Sequence, residues 1–254
     1  KVSQTCLTFC SIKLEEYMDS KIYIAHRGLH DKFVPENSLK AFGLALEKNL
    51  AIEFDLQMTR DKQIVVFHDS NLKRMCGIDK SINSCAYEEI KNLKLKNSQE
   101  TIPLLSDVLK LVNGKVLLDI EIKNTKYIFR SVDVISHILN NYQGPYTIKS
   151  FNPLISYIYK KKNPNISCGV LVGDLKNTKV PKFFQNTFLN IRYLPLYKPD
   201  FIAYNVDLIN DFIIAKLKKN NIPLHLYTID TLAKLNKAQS ISDILIIDNI
   251  KEKD

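Results

Sequence analysis

The sequence predicts an α/β fold, a closed (β/α)8 TIM barrel with a small insertion after its second strand. Three observations predict it. Short apolar runs of strand length alternate with amphipathic stretches of helical period, eight strand runs can be counted, and 254 residues is an ordinary length for such a barrel. Alternation of this kind requires a parallel sheet, because each crossover needs a helix to return the chain.

The elements follow in order. Ile22 to Ala25 is the first strand and ends on His26-Arg27-Gly28; Pro35-Glu36-Asn37-Ser38 then opens a helix over Ser38 to Lys48. The second strand, Ala51 to Leu56, continues into a hairpin over residues 57 to 66 that turns near Asp61-Lys62, adding an antiparallel strand outside the eight. A polar insertion, Ser70 to Thr101, exceeds ordinary loop length and carries a helix around Tyr87 to Leu93. Helix and strand then alternate: Leu104 to Val112, Val116 to Ile122, Ile128 to Asn140, Tyr146 to Ser150, Pro153 to Lys161 and Cys168 to Val172. A second long segment, Asp174 to Pro199, contains Phe183, Phe184, Phe188, Tyr193 and Tyr197. The last elements are Phe201 to Asn205, Asp207 to Lys219, Leu224 to Thr228, Thr231 to Ala238 and Ile244 to Ile247. Asn49 and Asn221 each follow a Lys-bearing helix end and serve as left-handed caps, a conformation Asn tolerates. The whole chain, 1 to 254, is read as one domain.

Composition narrows the function. The chain is 45% hydrophobic and 25% charged, with 36 Lys and Arg against 27 Asp and Glu, a net charge of +9. A positive field favours anionic partners such as phosphate esters, nucleic acid or an acidic membrane surface. Lys160-Lys161-Lys162 and Lys216, Lys218 and Lys219 read as solvated helix ends, and no basic-aromatic stripe stands out, so nucleic acid is not expected as a partner. No apolar run approaches the roughly 18 residues of a membrane span, which leaves only transient membrane-surface contact. Five scattered cysteines lack zinc or redox spacing and suit a reducing, cytoplasmic setting. Lys1 to Ser20 lacks the apolar core of a signal peptide, although a start at Lys leaves room for a processed segment. A P-loop, a G-x-G-x-x-G turn and a G-x-S-x-G elbow are all missing.

The chemistry lies at the strand ends. Glu53 and Asp55 stand two apart on a strand and point to the same side, as do Glu121 and Lys123. Strand C-terminal ends of a barrel converge on one mouth. Glu53, Asp55 and Glu121 there form a three-carboxylate cluster whose mutual repulsion a divalent cation relieves, and all-oxygen ligation selects Mg²⁺ or Ca²⁺ over Zn²⁺. Arg27 and Lys123 offer fixed positive charge for a phosphate, and His26 and His68 titrate near neutral pH, as proton carriers must. Together these residues suggest metal-assisted phosphate chemistry, in which one imidazole deprotonates the attacking oxygen and the other protonates the leaving alkoxide.

At these residues the chain resembles the glycerophosphodiester phosphodiesterase family. The matching segments are Ala25-His26-Arg27-Gly28, Pro35-Glu36-Asn37-Ser38, Ala41-Phe42, Glu53-Phe54-Asp55, Thr59-Arg60-Asp61, Val65-Val66-Phe67-His68-Asp69, Leu72-Lys73-Arg74, Ile102-Pro103-Leu104-Leu105, Ile120-Glu121-Ile122-Lys123 and Ser150-Phe151-Asn152-Pro153. They run in order over residues 21 to 250, densest in the first half.

The resemblance implies hydrolysis of a glycerophosphodiester to glycerol 3-phosphate and an alcohol. It assigns His26 and His68 as the acid/base pair, Glu53, Asp55 and Glu121 as metal ligands, and Arg27 and Lys123 as phosphate contacts. It also makes residues 70 to 101 a cap. The alternatives are lysophospholipase D-like action on a lysophospholipid at the same site, with Phe183, Phe184 and Phe188 as a possible acyl surface, and a non-catalytic phosphate-binding module. The departures are late in the chain. Tyr227-Thr228-Ile229-Asp230 replaces a Trp-Thr-Val-Asn-like strand end, so Tyr227 is expected as the aromatic wall of the substrate pocket. Ile246-Ile247-Asp248-Asn249 lacks the usual Thr-Asp-x-Pro, and Asp61-Lys62 replaces an Asp-Gly turn. His30 is read as structural.

Overall fold

Eight parallel strands close into a barrel: β1 (Ile22–Ala25), β2 (Ala51–Met58), β4 (Leu118–Ile122), β5 (Tyr146–Ser150), β6 (Ser167–Val172), β7 (Phe201–Asn205), β8 (Leu224–Thr231) and β9 (Ile244–Lys251). The computed structural model describes residues 21–174 and 182–251, and of residues 182–184 and 251 the backbone only. Closure comes from β1, which pairs with β2 through Ile24 and Ala51 and with β9 through Ile22 and Ile244. The short β3 (Ile64–Val66) lies antiparallel on the far end of β2, as the hairpin pattern predicts. Lys62 turns that hairpin with φ 68°.

Alternation along each strand divides the interior into two layers. Ile52, Phe54 and Leu56 of β2, and Leu118, Ile120 and Ile122 of β4, join the main core between sheet and outer helices. Their neighbours Glu53, Asp55, Asp119 and Glu121 are equally buried but belong to the alternate set, which faces into the barrel. The inward positions of the other strands include Ile24, Leu171, Phe201, Ala203 and Ile246, which pack as two small apolar clusters.

The helices are α1 (Leu39–Glu47), α2 (Lys73–Cys76), α3 (Tyr87–Ile90), α4 (Leu105–Val112), α5 (Ile128–Leu139), α6 (Pro153–Lys162), α7 (Lys182–Leu189), α8 (Leu194–Tyr197), α9 (Asp211–Lys219) and α10 (Leu232–Gln239). Asn49 and Asn221 have φ of 53° and 51°, the left-handed caps expected of them. Two expectations need correction. The helix placed from Asp207 starts at Asp211, because Asn205 accepts the Asp207 amide in a turn and Asn210 caps the helix by accepting from Ile213. The helix placed over Tyr87 to Leu93 is a single turn, and the insertion is held instead by its own cluster of Val65, Phe67, Leu72, Met75, Ile82, Ile90, Leu95 and Ile102. Among the described residues no helix is long and apolar enough to cross a membrane.

Candidate active site

β1 ends at Ala25, and the next three residues turn sharply: Arg27 has φ 57° and Gly28 φ 79°. A Cβ at Gly28 would sit 2.8 Å from the Ala41 backbone and 2.9 Å from the Phe42 ring, so only glycine lets this turn lie against α1. The turn aims the Arg27 amide at Glu53, where it donates to Oε2 at 3.1 Å.

Pro35-Glu36-Asn37-Ser38 supports the same corner. Ser38 caps α1, accepting from the Ala41 amide at 3.1 Å. Asn37, with φ 56°, donates its amide to Asp55 Oδ2 at 2.9 Å. Glu36 accepts Arg27 Nη1 at 2.7 Å and both Arg74 Nη atoms at 2.7 Å. Burial works to raise the Glu36 carboxyl, but Arg74 and Arg27 outweigh it and hold it at about 2.

Strand register brings the carboxylates together. Asp55 pairs across to Glu121 and Glu53 to Asp119. Donor oxygens of Glu53, Asp55 and Glu121 lie within 4.8 Å of one another, all three side chains buried. Lys123 reaches back to them, with Nζ 2.8 Å from Glu121 and 3.1 Å from Asp55. Burial pushes the Glu121 carboxyl up, and the charges of Asp55 and Glu53 add to it; even against Lys123 it stands at about 7. Burial works on Asp55 in the same sense, but Lys123, His68 and Arg27 overcome it and hold that carboxyl down. A buried, all-oxygen set with one carboxyl unable to ionise freely is the donor chemistry of a hard divalent cation. The cluster could hold one.

Each predicted histidine has a carboxylate on its Nδ1. His26 Nδ1 lies 2.9 Å from Asp248 Oδ2, and His68 Nδ1 lies 2.7 Å from Asp69 Oδ1. Such a partner fixes ring orientation and leaves Nε2 for other work. Asp69 is itself gripped by Arg74 at 2.6 and 3.0 Å, so His68, Asp69, Arg74, Glu36 and Arg27 form one continuous chain of contacts. Burial holds the His68 pKa below its ordinary value, although the charge of Asp55 opposes this.

Beneath the carboxylates lies Lys149, 1% exposed, with Nζ 2.6 Å from Asp119 and 3.4 Å from Glu53. Thr147 donates to the other Asp119 oxygen at 2.8 Å. Beside His68 a cavity of about 720 Å³ opens, lined by polar and charged residues including Gln57, Asn71, Lys73, Asp79, Lys123 and Asn124.

The structure therefore gathers His26, Arg27, Glu53, Asp55, His68, Glu121 and Lys123 at one end of the barrel. Tyr227 lies deeper. Its ring meets Phe151 edge-on at 6.4 Å and packs with Leu171, Phe201 and Ala203, and its hydroxyl is buried without a hydrogen-bond partner. Burial, then the charge of Glu121, pushes that hydroxyl's pKa well above 10. Sequence reasoning gave no role to Glu36, Asn37, Asp69, Arg74, Lys149 or Asp248. Asp248 carried a usable signal, an acid at the end of the apolar run Ile244 to Ile247, the same signal that marks Glu53 and Asp55.

Comparison with known proteins bears on what this end of the barrel does. The model of the glycerophosphoryl diester phosphodiesterase family matches residues 26–252. A glycerophosphodiester phosphodiesterase of Caldanaerobacter subterraneus is 34% identical over 161 residues, 59% of this chain and 66% of that protein. One from Bacillus altitudinis is 31% identical over 168 residues, 61% of this chain and 68% of that protein. The matched stretch thus spans about two thirds of these relatives. Among solved structures, an Oleispira antarctica phosphodiesterase in complex with the product sn-glycerol-3-phosphate superposes with a TM-score of 0.76 at 21% identity, covering 91% of this chain and 94% of that one.

Proposed function

The chain belongs to the glycerophosphoryl diester phosphodiesterase family, and from that premise we propose that it hydrolyses glycerophosphodiesters to glycerol 3-phosphate and an alcohol. The observation that carries the proposal is the placing of two carboxylate-anchored imidazoles, His26 and His68, at the mouth that holds Glu53, Asp55 and Glu121. In this reading Glu53, Asp55 and Glu121 hold Mg²⁺ or Ca²⁺, which when bound supplies Lewis-acid charge to the phosphoryl oxygens. Arg27 and Lys123, fixed by Glu36, Asp55 and Glu121, offer N–H donors to the phosphate. One imidazole takes through Nε2 the proton of the attacking water, or of a substrate hydroxyl whose cyclic phosphate water then opens, and the other returns a proton to the leaving alkoxide. Asp248 and Asp69 hold the two rings in the orientation this requires. Residues 70–101, tied to the mouth through Arg74, act as the cap.

Small polar substrates are favoured over lysophospholipids. Every lining residue of the cavity beside His68 is polar or charged, which suits a hydroxylated or charged alcohol. Phe188 packs on the core and stacks on Tyr193 at 5.4 Å, while of Phe183 and Phe184 only the backbone is described.

The test is release of glycerol 3-phosphate from glycerophosphocholine, glycerophosphoethanolamine, glycerophosphoglycerol and lysophosphatidylcholine, with Mg²⁺, Ca²⁺ or EDTA. Turnover of at least one glycerophosphodiester is expected, abolished by EDTA and reduced at least about 100-fold in His26→Ala and in Glu53→Ala. Metal-independent turnover, or turnover unchanged in both variants, overturns the reading. Activity on the lysolipid alone overturns the preference for small substrates.

A further inference from the structure

We propose that His26, His30 and Asp248 form a second cation site, distinct from the three-carboxylate cluster, that takes Zn²⁺ and inhibits the enzyme by withdrawing His26 from proton transfer. The binding half stands on geometry alone; the inhibitory half rests on the role proposed above for His26.

The three side chains come from the two ends of the chain. β1 delivers His26, the loop after it delivers His30, and β9, hydrogen-bonded to β1 along its length, delivers Asp248. Their donor atoms all lie within 4.8 Å of one another. His26 Nδ1 is 2.9 Å from one Asp248 oxygen and His30 Nε2 is 3.1 Å from the other. The first contact is a hydrogen bond. The second brings a buried Nε2 to ion-pair distance of the carboxylate. Two imidazole nitrogens thus converge on one carboxylate.

Donor chemistry decides the ion. Two neutral imidazoles and one carboxylate are a borderline set, suited to Zn²⁺ with a fourth position left for water, and poorly suited to Mg²⁺ or Ca²⁺. The cluster of Glu53, Asp55 and Glu121 is hard and has no nitrogen. The two sites therefore sort cations by softness. All three residues keep some exposure, between 15 and 24% of the side chain, so an ion can reach them from solvent. His30 is also supported from behind, because the Asn249 side-chain amide lies 3.3 Å from its Nδ1. That amide also donates to Asp248 Oδ1 at 3.0 Å, so it ties the two side chains together.

The functional consequence follows from which atom is taken. Ligation through Nδ1 requires the tautomer protonated on Nε2, so the proton now shared with Asp248 passes to solvent and Nε2 holds the ring's one N–H proton beside a dication. Its Nε2 then becomes a poor proton acceptor.

Cobalt can report on the site. In Glu53→Ala, where the carboxylate cluster is broken, Co²⁺ should give the intense visible absorption of a four-coordinate ion at one equivalent. The signal should be lost in Glu53→Ala combined with His30→Ala or with His30→Gln, the second variant guarding against loss of fold. In the enzyme with saturating Mg²⁺, Zn²⁺ should inhibit, and His30→Gln, measured against its own zinc-free turnover, should raise the inhibitory concentration at least about tenfold. Cobalt binding indifferent to His30 overturns the site. Equal zinc inhibition of the enzyme and of His30→Gln overturns it too, since zinc would then be acting at the carboxylates. If cobalt binding depends on His30 but zinc leaves turnover intact, the site stands and the role given to His26 fails.

Discussion

His225 shows what a single residue contributes in this interior. It lies buried on β8 with its ring stacked on Phe201, centroids 4.1 Å apart and planes 9° from parallel, and its Nδ1 has no hydrogen-bond partner. Burial pushes its pKa down to about 4, against the pull of Asp119, so the folded protein keeps the ring neutral. The unfolded chain titrates near 6.5 and binds the proton first. A depressed value of this kind gives stability that is full above pH ~6.5 and is lost as pH falls toward 4, by roughly 3 kcal/mol over that interval. Chemical denaturation from pH 4 to 7 should show this slope, and His225→Gln should flatten it; an unchanged slope in the variant would mean the ring is not held neutral. Phe201 imposes a second constraint. A Cβ at Gly169 would lie 2.2 Å from its ring, so Gly169→Ala should cost about 1–3 kcal/mol, read as a lower unfolding midpoint in urea.

Single residues also mark where the sequence was readable and where it was not. Glu53, Asp55 and Glu121 were legible only as a set, because a Glu-x-Asp pair on a strand is ordinarily a solvated face, whereas acids at successive strand ends beside His26, Arg27, His68 and Lys123 are not. Lys149 offered the same signal in Tyr146 to Ser150, but a lysine on a strand ordinarily reads as reaching solvent, and only the register with Glu121 shows that it points inward. Asp248 showed as an acid at a strand end, but its pairing with His26, like that of Asp69 with His68, is set by the fold and shows only in the structure.

At the scale of elements, the start of α1 does most to build the site. Ser38 accepts from Ala41 and donates to the Pro35 carbonyl at 2.7 Å, which locks the turn carrying Glu36 and Asn37. Ser38→Ala should lower stability by about 1 kcal/mol and should reduce turnover as well, because Asn37 and Glu36 orient Asp55 and Arg27. Ser38→Thr should restore most of both; a stability loss with turnover intact would separate the cap from the site. The order of strands and helices was legible because each apolar stripe repeats at a fixed period. The interior of 70–101 was not, since its cluster is assembled from one-turn helices and loops whose apolar residues follow no period.

Across the molecule, the Arg74 guanidinium ties that insertion to the mouth. Arg74 joins Glu36 beside β1 to Asp69 beside His68, and its planar fork engages both carboxylates at once. Lysine cannot reproduce two such forks. Arg74→Lys should therefore lower kcat/KM at least about tenfold with little change in thermal midpoint, because the side chain is 44% exposed while the insertion keeps its own core. Equal kinetics in the lysine variant would reduce Arg74 to a surface contact.

The barrel interior is electrically divided, and the division rests on Lys149. Charge enters from β2, β4 and β5, as Glu53, Asp55, Asp119, Glu121 and Lys149, while β6, β7 and β9 contribute Leu171, Phe201, Ala203 and Ile246. Four buried acids with a single fully buried lysine among them make that lysine the fixed counter-charge of the deep layer. Burial works to lower the Lys149 pKa, but Asp119 and Glu53 outweigh it and hold the ammonium protonated. Removing it leaves Asp119 facing apolar surroundings with only Thr147 as a donor. Lys149→Met should then cost about 3–5 kcal/mol, the scale of an unpaired buried charge, whereas Lys149→Met with Asp119→Leu should regain much of it because both charges leave together. Urea unfolding of the two variants decides between these outcomes. A double variant no more stable than the single one would show that Lys149 serves mainly Glu53, and in that case the divalent cation, added to Lys149→Met alone, should restore the unfolding midpoint.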